Sequence, residues 1–260
     1  MTKRMGAVAL AAAATAATAD VRGRAVEYKD GAVVLEGYLA TDSARQGKRP
    51  AVLVVHEWWG VTAHPKRSAE RLAAMGYVAF ALDMYGKGKV AADAAEAGRM
   101  AGAVRGNPEI VRSRVRAALE VLRRDETVDP DRIAIIGYCF GGTVALEAAR
   151  MGEPFVGVVS FHGGLASSVP AEQRKLTAKV LVLHGADDPA VPPAQVAAFE
   201  DEMRAAKADW QLVKYGGALH AFTNPEAGGP GNTTSRYDPA AARRSWRHMA
   251  DFLAECFGAG

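Results

Sequence analysis

Cysteine is scarce in this chain: two residues in 260, Cys139 and Cys256, too few for a disulfide framework and both expected as free thiols. Histidine is equally sparse, six in all. No HExxH or CxxC spacing occurs, and His56, His64, His162, His184 and His248 are scattered along the chain, so no metal site is predicted. Charge of one sign is lacking as well. Lys and Arg number 32 against 29 Asp and Glu, a net +3 that is too small and too dispersed for a nucleic-acid surface. Basic residues such as Arg112, Arg116 and Arg123 flank an apolar stripe of Val111, Val115, Ala118, Leu119 and Leu122, the pattern of a solvated face on a core-packed helix. Nor is there, beyond the amino terminus, any uninterrupted apolar run long enough to span a bilayer, so no membrane segment is expected in the mature chain.

About half of the residues are apolar (49%), enough to bury one sizeable core. The first residues stand apart from that core. Lys3 and Arg4 precede an uncharged run from Met5 to Ala14, and Ala17-Thr-Ala19 then supplies a small-x-small cleavage pattern. Residues 1–19 are therefore expected to be a signal peptide cleaved near Ala19/Asp20. Residues 20–260 would form a single domain in a periplasmic or secreted protein.

The remainder alternates strand and helix. Val33 to Leu39 reads as an edge strand, and Ala51 to Val55 as a buried one. A helix over Pro65 to Met75 closes at Gly76, and Val78 to Leu82 is the next strand. Helices over Ala91 to Val104 and Ile110 to Arg123 are divided by Gly106-Asn-Pro108. Val156 to Phe161, Val180 to His184 and Trp210 to Tyr215 read as further strands, with helices over Pro193 to Ala206 and Ala240 to Phe257. The rhythm predicts a mostly parallel sheet with helices on both faces.

The run Ile133-Ala-Ile-Ile-Gly-Tyr-Cys-Phe-Gly-Gly142 is the most informative part. It is a buried strand, a glycine-pinched turn and a helix start, which is a nucleophile elbow with sulfur at its apex. Gly137 and Gly141 flank Cys139 two residues away on each side, where the strained turn leaves no room for side chains. A thiol needs a base, and the base an orienting acid. Asp188 follows one late strand and His220 the next, so nucleophile, acid and histidine occur in the chain order of the α/β-hydrolase architecture. Asp187 is the nearest competitor for the acid. The amides of Phe140 and Trp58 occupy the places of oxyanion donors. Glu57 closely follows a central strand and would stand beside the elbow, where its carboxylate could accept the thiol hydrogen. Trp58 and Trp59 are candidate pocket walls.

The chain resembles the dienelactone hydrolase family of α/β-hydrolases through His56-Glu-Trp-Trp-Gly60, Gly137-Tyr-Cys-Phe-Gly-Gly142, Gly185-Ala-Asp-Asp-Pro-Ala-Val-Pro192 and His220-Ala-Phe222. The resemblance implies an α/β-hydrolase fold and cleavage of a carboxylic ester or lactone through a Cys139, His220, Asp188 triad and a thioester. It also implies a Glu57 that contacts and helps to activate the nucleophile. It selects Asp188 over Asp187, because the family's acid precedes the Val-Pro pair by three residues. Two departures concern substrate. Asn224 stands where the family has an arginine, and Lys87 where it has another, so Lys87, Trp59 and Tyr138 are the candidate substrate-binding residues and dienelactone itself is not implied. The expected partner is a small-molecule ester or lactone, with no cofactor, no nucleic acid and no specified oligomeric state. From another class, the alternative is a non-catalytic small-molecule-binding protein on the same fold.

Overall fold

A computed structural model describes residues 19–170, 173–229 and 231–258. The expected leader lies, but for its last residue, outside the described residues. Eight strands form one sheet in the order β1-β2-β4-β3-β5-β6-β7-β8. They are β1 (Val21–Asp30), β2 (Val33–Asp42), β3 (Arg49–Val55), β4 (Val78–Leu82), β5 (Val128–Tyr138), β6 (Gly157–Phe161), β7 (Lys179–Gly185) and β8 (Trp210–Tyr215). From β4 to β8 every neighbouring pair is parallel, whereas β2 runs antiparallel to both β1 and β4. This is the α/β-hydrolase arrangement.

Helices α1 (Ala63–Ala74), α2 (Ala94–Arg105), α3 (Pro108–Arg123), α4 (Phe140–Arg150), α5 (Pro193–Ala205) and α6 (Pro239–Cys256) join the strands. Strand side chains alternate between faces and so build two cores. Leu53, Val55, Ile133, Ile135, Val158 and Val182 meet the side chains of α2 to α5, such as Val115, Leu119, Val144 and Phe199. Val52, Val54, Ile136, Val159 and Leu181 meet Leu72 of α1 and Met249, Phe252 and Leu253 of α6. Because each strand of this parallel stretch is covered on both sides, it is an unbroken apolar run, which is how it reads in the sequence.

Several element assignments change, α1 among them, which begins two residues before Pro65. The strand at Val33 is not an edge: β1 pairs along its whole length, from Val21 opposite Asp42 to Asp30 opposite Val33. β1 escapes an apolar-run reading because it is mostly exposed and charged, but Asp30-Gly31, with Gly31 at φ 56°, is a hairpin-turn signature ahead of β2. Helix α2 starts three residues later than Ala91 because the Asp93 side chain accepts from the Glu96 amide and caps it there. Helix α3 starts two residues before Ile110, where Asn107 caps and Pro108 occupies the first turn.

Candidate active site

Strand order decides which loops meet. β5 lies between β3 and β6, so the residues that follow these strands, with those after β7 and β8, gather along the carboxyl edge of the sheet. Cys139 follows β5 at φ 53° and ψ −115°, a conformation that L-residues rarely adopt. The surroundings impose it. A Cβ on Gly137 would lie 2.0 Å from the Gly141 carbonyl oxygen, and one on Gly141 would lie 2.4 Å from that of Val55. The Cys139 amide is also tied to β6, donating to the Phe161 carbonyl at 3.0 Å. Gly141→Ala is accordingly expected to lower Tm by several degrees, since overpacking costs about 1–3 kcal/mol and each kcal/mol is worth roughly 2–4 °C in a domain of this size. Calorimetry showing an unchanged Tm would mean that α4 can move off β3 freely.

The Cys139 thiol meets His220, whose Nε2 lies 2.9 Å from Sγ, and His220 Nδ1 lies 2.7 Å from Asp188 Oδ2. Asp188 is buried and its other oxygen accepts from the Ala190 amide, while Asp187 is exposed. The His220 backbone is fixed from the far side of the cavity, with its amide donating to Thr234 and its carbonyl accepting from Arg236. Burial by itself would lower the imidazole pKa. The hydrogen bonds with Asp188 and Cys139, reinforced by their charges, outweigh it and push His220 up to about 10.

Two amides of residues that line one cavity with Cys139 have no protein acceptor among the described residues, those of Trp58 and Phe140. Phe140 opens α4, so its N–H has no helical partner. Trp58 N–H is aimed by His56. His56 Nε2 accepts from the Met84 amide at 3.2 Å, which leaves the proton on Nδ1, and Nδ1–H donates to the Glu57 carbonyl. In a planar trans peptide the carbonyl of Glu57 and the N–H of Trp58 point in opposite directions, so this bond, with the one from the Gly60 amide at 3.3 Å, also fixes the direction of the N–H. Burial keeps His56 below its usual pKa and thus neutral, and its ring packs against Phe140 and Tyr85. Tyr85 in turn donates to the Trp58 carbonyl at 3.0 Å.

These groups open into a cavity of about 820 Å³ lined by Glu57, Trp58, Trp59, Thr143, Val191 and Asn224 among others. Glu57 is buried and its carboxylate accepts from Asn224 Nδ2 at 2.6 Å, with His64 Nδ1 at 3.5 Å. It lines the same cavity as Cys139 but is hydrogen-bonded to Asn224 and not to the thiol. The side chain of Arg105, at the end of α2, is the lysine or arginine that reaches this cavity among the described residues.

Two substrate-binding expectations are corrected. Lys87 lies away from the cavity, half exposed and ion-paired with Glu27 of β1, because the β1–β2 hairpin stands where its side chain extends. Tyr138 is buried and packs against Phe161 and His64 on the opposite side of the elbow from Cys139, as strand alternation requires of adjacent residues. Trp59 does line the cavity and packs edge-on against Trp58.

The sequence profile of the Dienelactone hydrolase family matches residues 35–257. The chain belongs to the dienelactone hydrolase family. Among solved structures, P91, named a dienelactone hydrolase-like promiscuous phosphotriesterase from metagenomic libraries, is 40% identical, with a TM-score of 0.87 over 91% of this chain and 99% of that one. The structure named m3DLH is 38% identical, with a TM-score of 0.86 over the same shares of the two chains. A protein of Aquifex aeolicus with a provisional carboxymethylenebutenolidase name is 28% identical over 89% of this chain and 97% of that one.

Within this dienelactone hydrolase-family fold, sequence reading missed Arg105 and the partnership of Asn224 with Glu57. It also treated the histidines as scattered. In space His56, His64, His162 and His184 surround the elbow or His220, although no group of three or more metal-ligand side chains converges among the described residues. The available signal was positional: His56, His162 and His184 each lie at the carboxyl end of a parallel strand.

Proposed function

We propose that this chain hydrolyses an uncharged carboxylic ester or lactone through a thioester on Cys139. The observation that carries the reading is the unbroken hydrogen-bonded line from Asp188 through His220 to the Cys139 thiol at the floor of the cavity. The thiol proton passes to His220 Nε2 and the thiolate attacks the carbonyl carbon. The S–C bond forms while the carbonyl electrons move onto oxygen, where the Trp58 and Phe140 amides hold them. Collapse breaks the C–O bond, and the leaving alkoxide takes the proton from His220. Acylation then removes the two influences of Cys139 that raise the imidazole, its hydrogen bond and its charge, so His220 is released to act as base toward water. Water adds, the thiolate departs and the acid is freed.

The cavity walls favour an uncharged substrate. Glu57 sets one carboxylate against the one guanidinium of Arg105, Glu226 is paired with Arg67, and Asn224 supplies no charge. An uncharged phosphotriester meets the same requirements, and the name of P91 makes it the second substrate class to test. The decisive experiment is intact-mass spectrometry after rapid acid quench of the protein mixed with 4-nitrophenyl acetate. One acetyl group is expected, on the peptide containing Cys139 and lost with time. Acetylation elsewhere, or turnover with no acylated species on a protein that also lacks a burst of nitrophenol, would sink the thioester.

A further inference from the structure

Among the described residues four non-glycine positions have positive φ: Cys139 at 53°, His162 at 41°, Ala221 at 54° and Lys207 at 51°. The first three stand at the site, directly after β5, directly after β6 and immediately after His220. Backbone strain gathered in one place marks function when specific contacts maintain it. One side chain, itself at the second of these positions, joins the first to the segment that follows the third. His162 Nδ1 shares the Cys139 amide hydrogen with the Phe161 carbonyl, at 3.1 Å and 3.0 Å, and its Nε2 lies 2.7 Å from Thr223 Oγ1, three residues past His220. An amide can only donate, so Nδ1 carries no proton, and the proton on Nε2 is donated to Thr223.

We infer that His162 is a positioning residue, a neutral imidazole brace that spans from the elbow to the loop of His220 and sets the separation of thiol and base. The inference rests on the reading of Cys139 as nucleophile. The ring is 1% exposed, and it meets the rings of His220 and Phe222 edge-on at centroid separations of 5.3 and 5.0 Å. Tyr138 fills the remaining side. Its ionisable surroundings are His220 on its own loop, His64 on α1 and His184 on β7. Burial first, and then the neighbouring His220, hold its pKa well below the usual imidazole range. The two rings are thus driven apart, His220 toward the charged form and His162 toward the neutral form that both of its bonds require. A charged His162 would lose its acceptor for Cys139 and repel a protonated His220.

The test is a double-mutant cycle read on two observables: kcat and KM for 4-nitrophenyl acetate, and the pH dependence of Cys139 alkylation by iodoacetamide. Asparagine tolerates positive φ, and its Oδ1 falls where Nδ1 stood, but it cannot reach Thr223. His162→Asn and Thr223→Val therefore remove the same bond. Each should lower kcat about tenfold, leave KM within about twofold and slow Cys139 alkylation at neutral pH, and the double variant should be no worse than either single one. His162→Phe keeps ring volume and loses both bonds, for about a hundredfold loss. Multiplicative losses in the cycle, or lower Tm with unchanged kcat and alkylation profile, would overturn the brace. Alkylation reports on the thiol without turnover, so a failure of the brace is separable from a failure of the proposed function. In the latter case wild-type Cys139 would be no more reactive than Cys256.

Discussion

Cys139→Ala should hydrolyse an activated aryl ester at least about 10⁴-fold more slowly than the parent, because removing a nucleophile leaves the oxyanion donors with no attacking atom to serve. Alanine keeps the backbone that carries both donors, so the residual rate isolates what the Trp58 and Phe140 amides do alone. Cys139→Ser is the informative companion. A serine oxygen would stand at nearly the same place, 2.9 Å from His220 Nε2 in the parent geometry. It is far harder to deprotonate than a thiol, and the charge of Cys139 that helps to hold a proton on His220 is gone with the sulfur. Serine should therefore recover little of the loss. Full activity in Cys139→Ala, measured on protein purified free of host esterases, would remove the assignment altogether. Full activity in Cys139→Ser would keep the site and remove the need for a thiolate.

Asp188→Asn is expected to cost up to about 10⁴-fold in kcat at neutral pH, the size of effect seen when the acid of a Ser-His-Asp triad is made neutral. An asparagine that presents its NH₂ to His220 Nδ1 imposes the wrong tautomer. The substitution also strips away the foremost influence opposing burial at His220. Two pH profiles follow. Iodoacetamide alkylation of Cys139, followed across pH, should be slower in the variant than in the parent, as the imidazolium beside the thiol is lost. Stability follows from the sign of the shift. The folded His220 binds its proton more tightly than the unfolded one, so its contribution is fully present below the ordinary value of 6.5 and is lost as pH rises through about 10. Chemical denaturation should show that decline in the parent and a flatter profile in Asp188→Asn. Identical profiles in the two proteins would mean that the carboxylate does not govern the imidazole.

How much of this was legible depends on the range of the interaction that produced it. The elbow was readable because its cause is local: Gly137 and Gly141 answer clashes within one turn and against the adjacent strand, and glycine leaves that mark in the sequence. Asp188 and His220 were readable because parallel strands present their carboxyl ends in a fixed order. The direction of a side chain from a strand end was less accessible. Tyr138 is next to Cys139 yet faces the other side of the sheet, and Lys87 is turned aside by Glu27 of a strand that charge had hidden. Hydrogen-bond partners such as Asn224 with Glu57, or His162 with Thr223, join elements 167 and 61 residues apart, and no local pattern encodes them.

The division between strand ends and connections has an evolutionary consequence. Thiol, acid and imidazole stand on the connections that follow β5, β7 and β8, and the peptide before Trp58 is held by a histidine sunk in the core. Much of the cavity wall comes from stretches outside helices and strands: Trp59, Val90 to Ala92, Pro189 to Val191, Ala221, Asn224, Glu226 to Gly228, and Thr234. Substitutions there alter shape and charge at the mouth while leaving the reacting atoms in register. Such a protein can change what it consumes faster than how it consumes it, and its descendants should differ in diet long before they differ in chemistry.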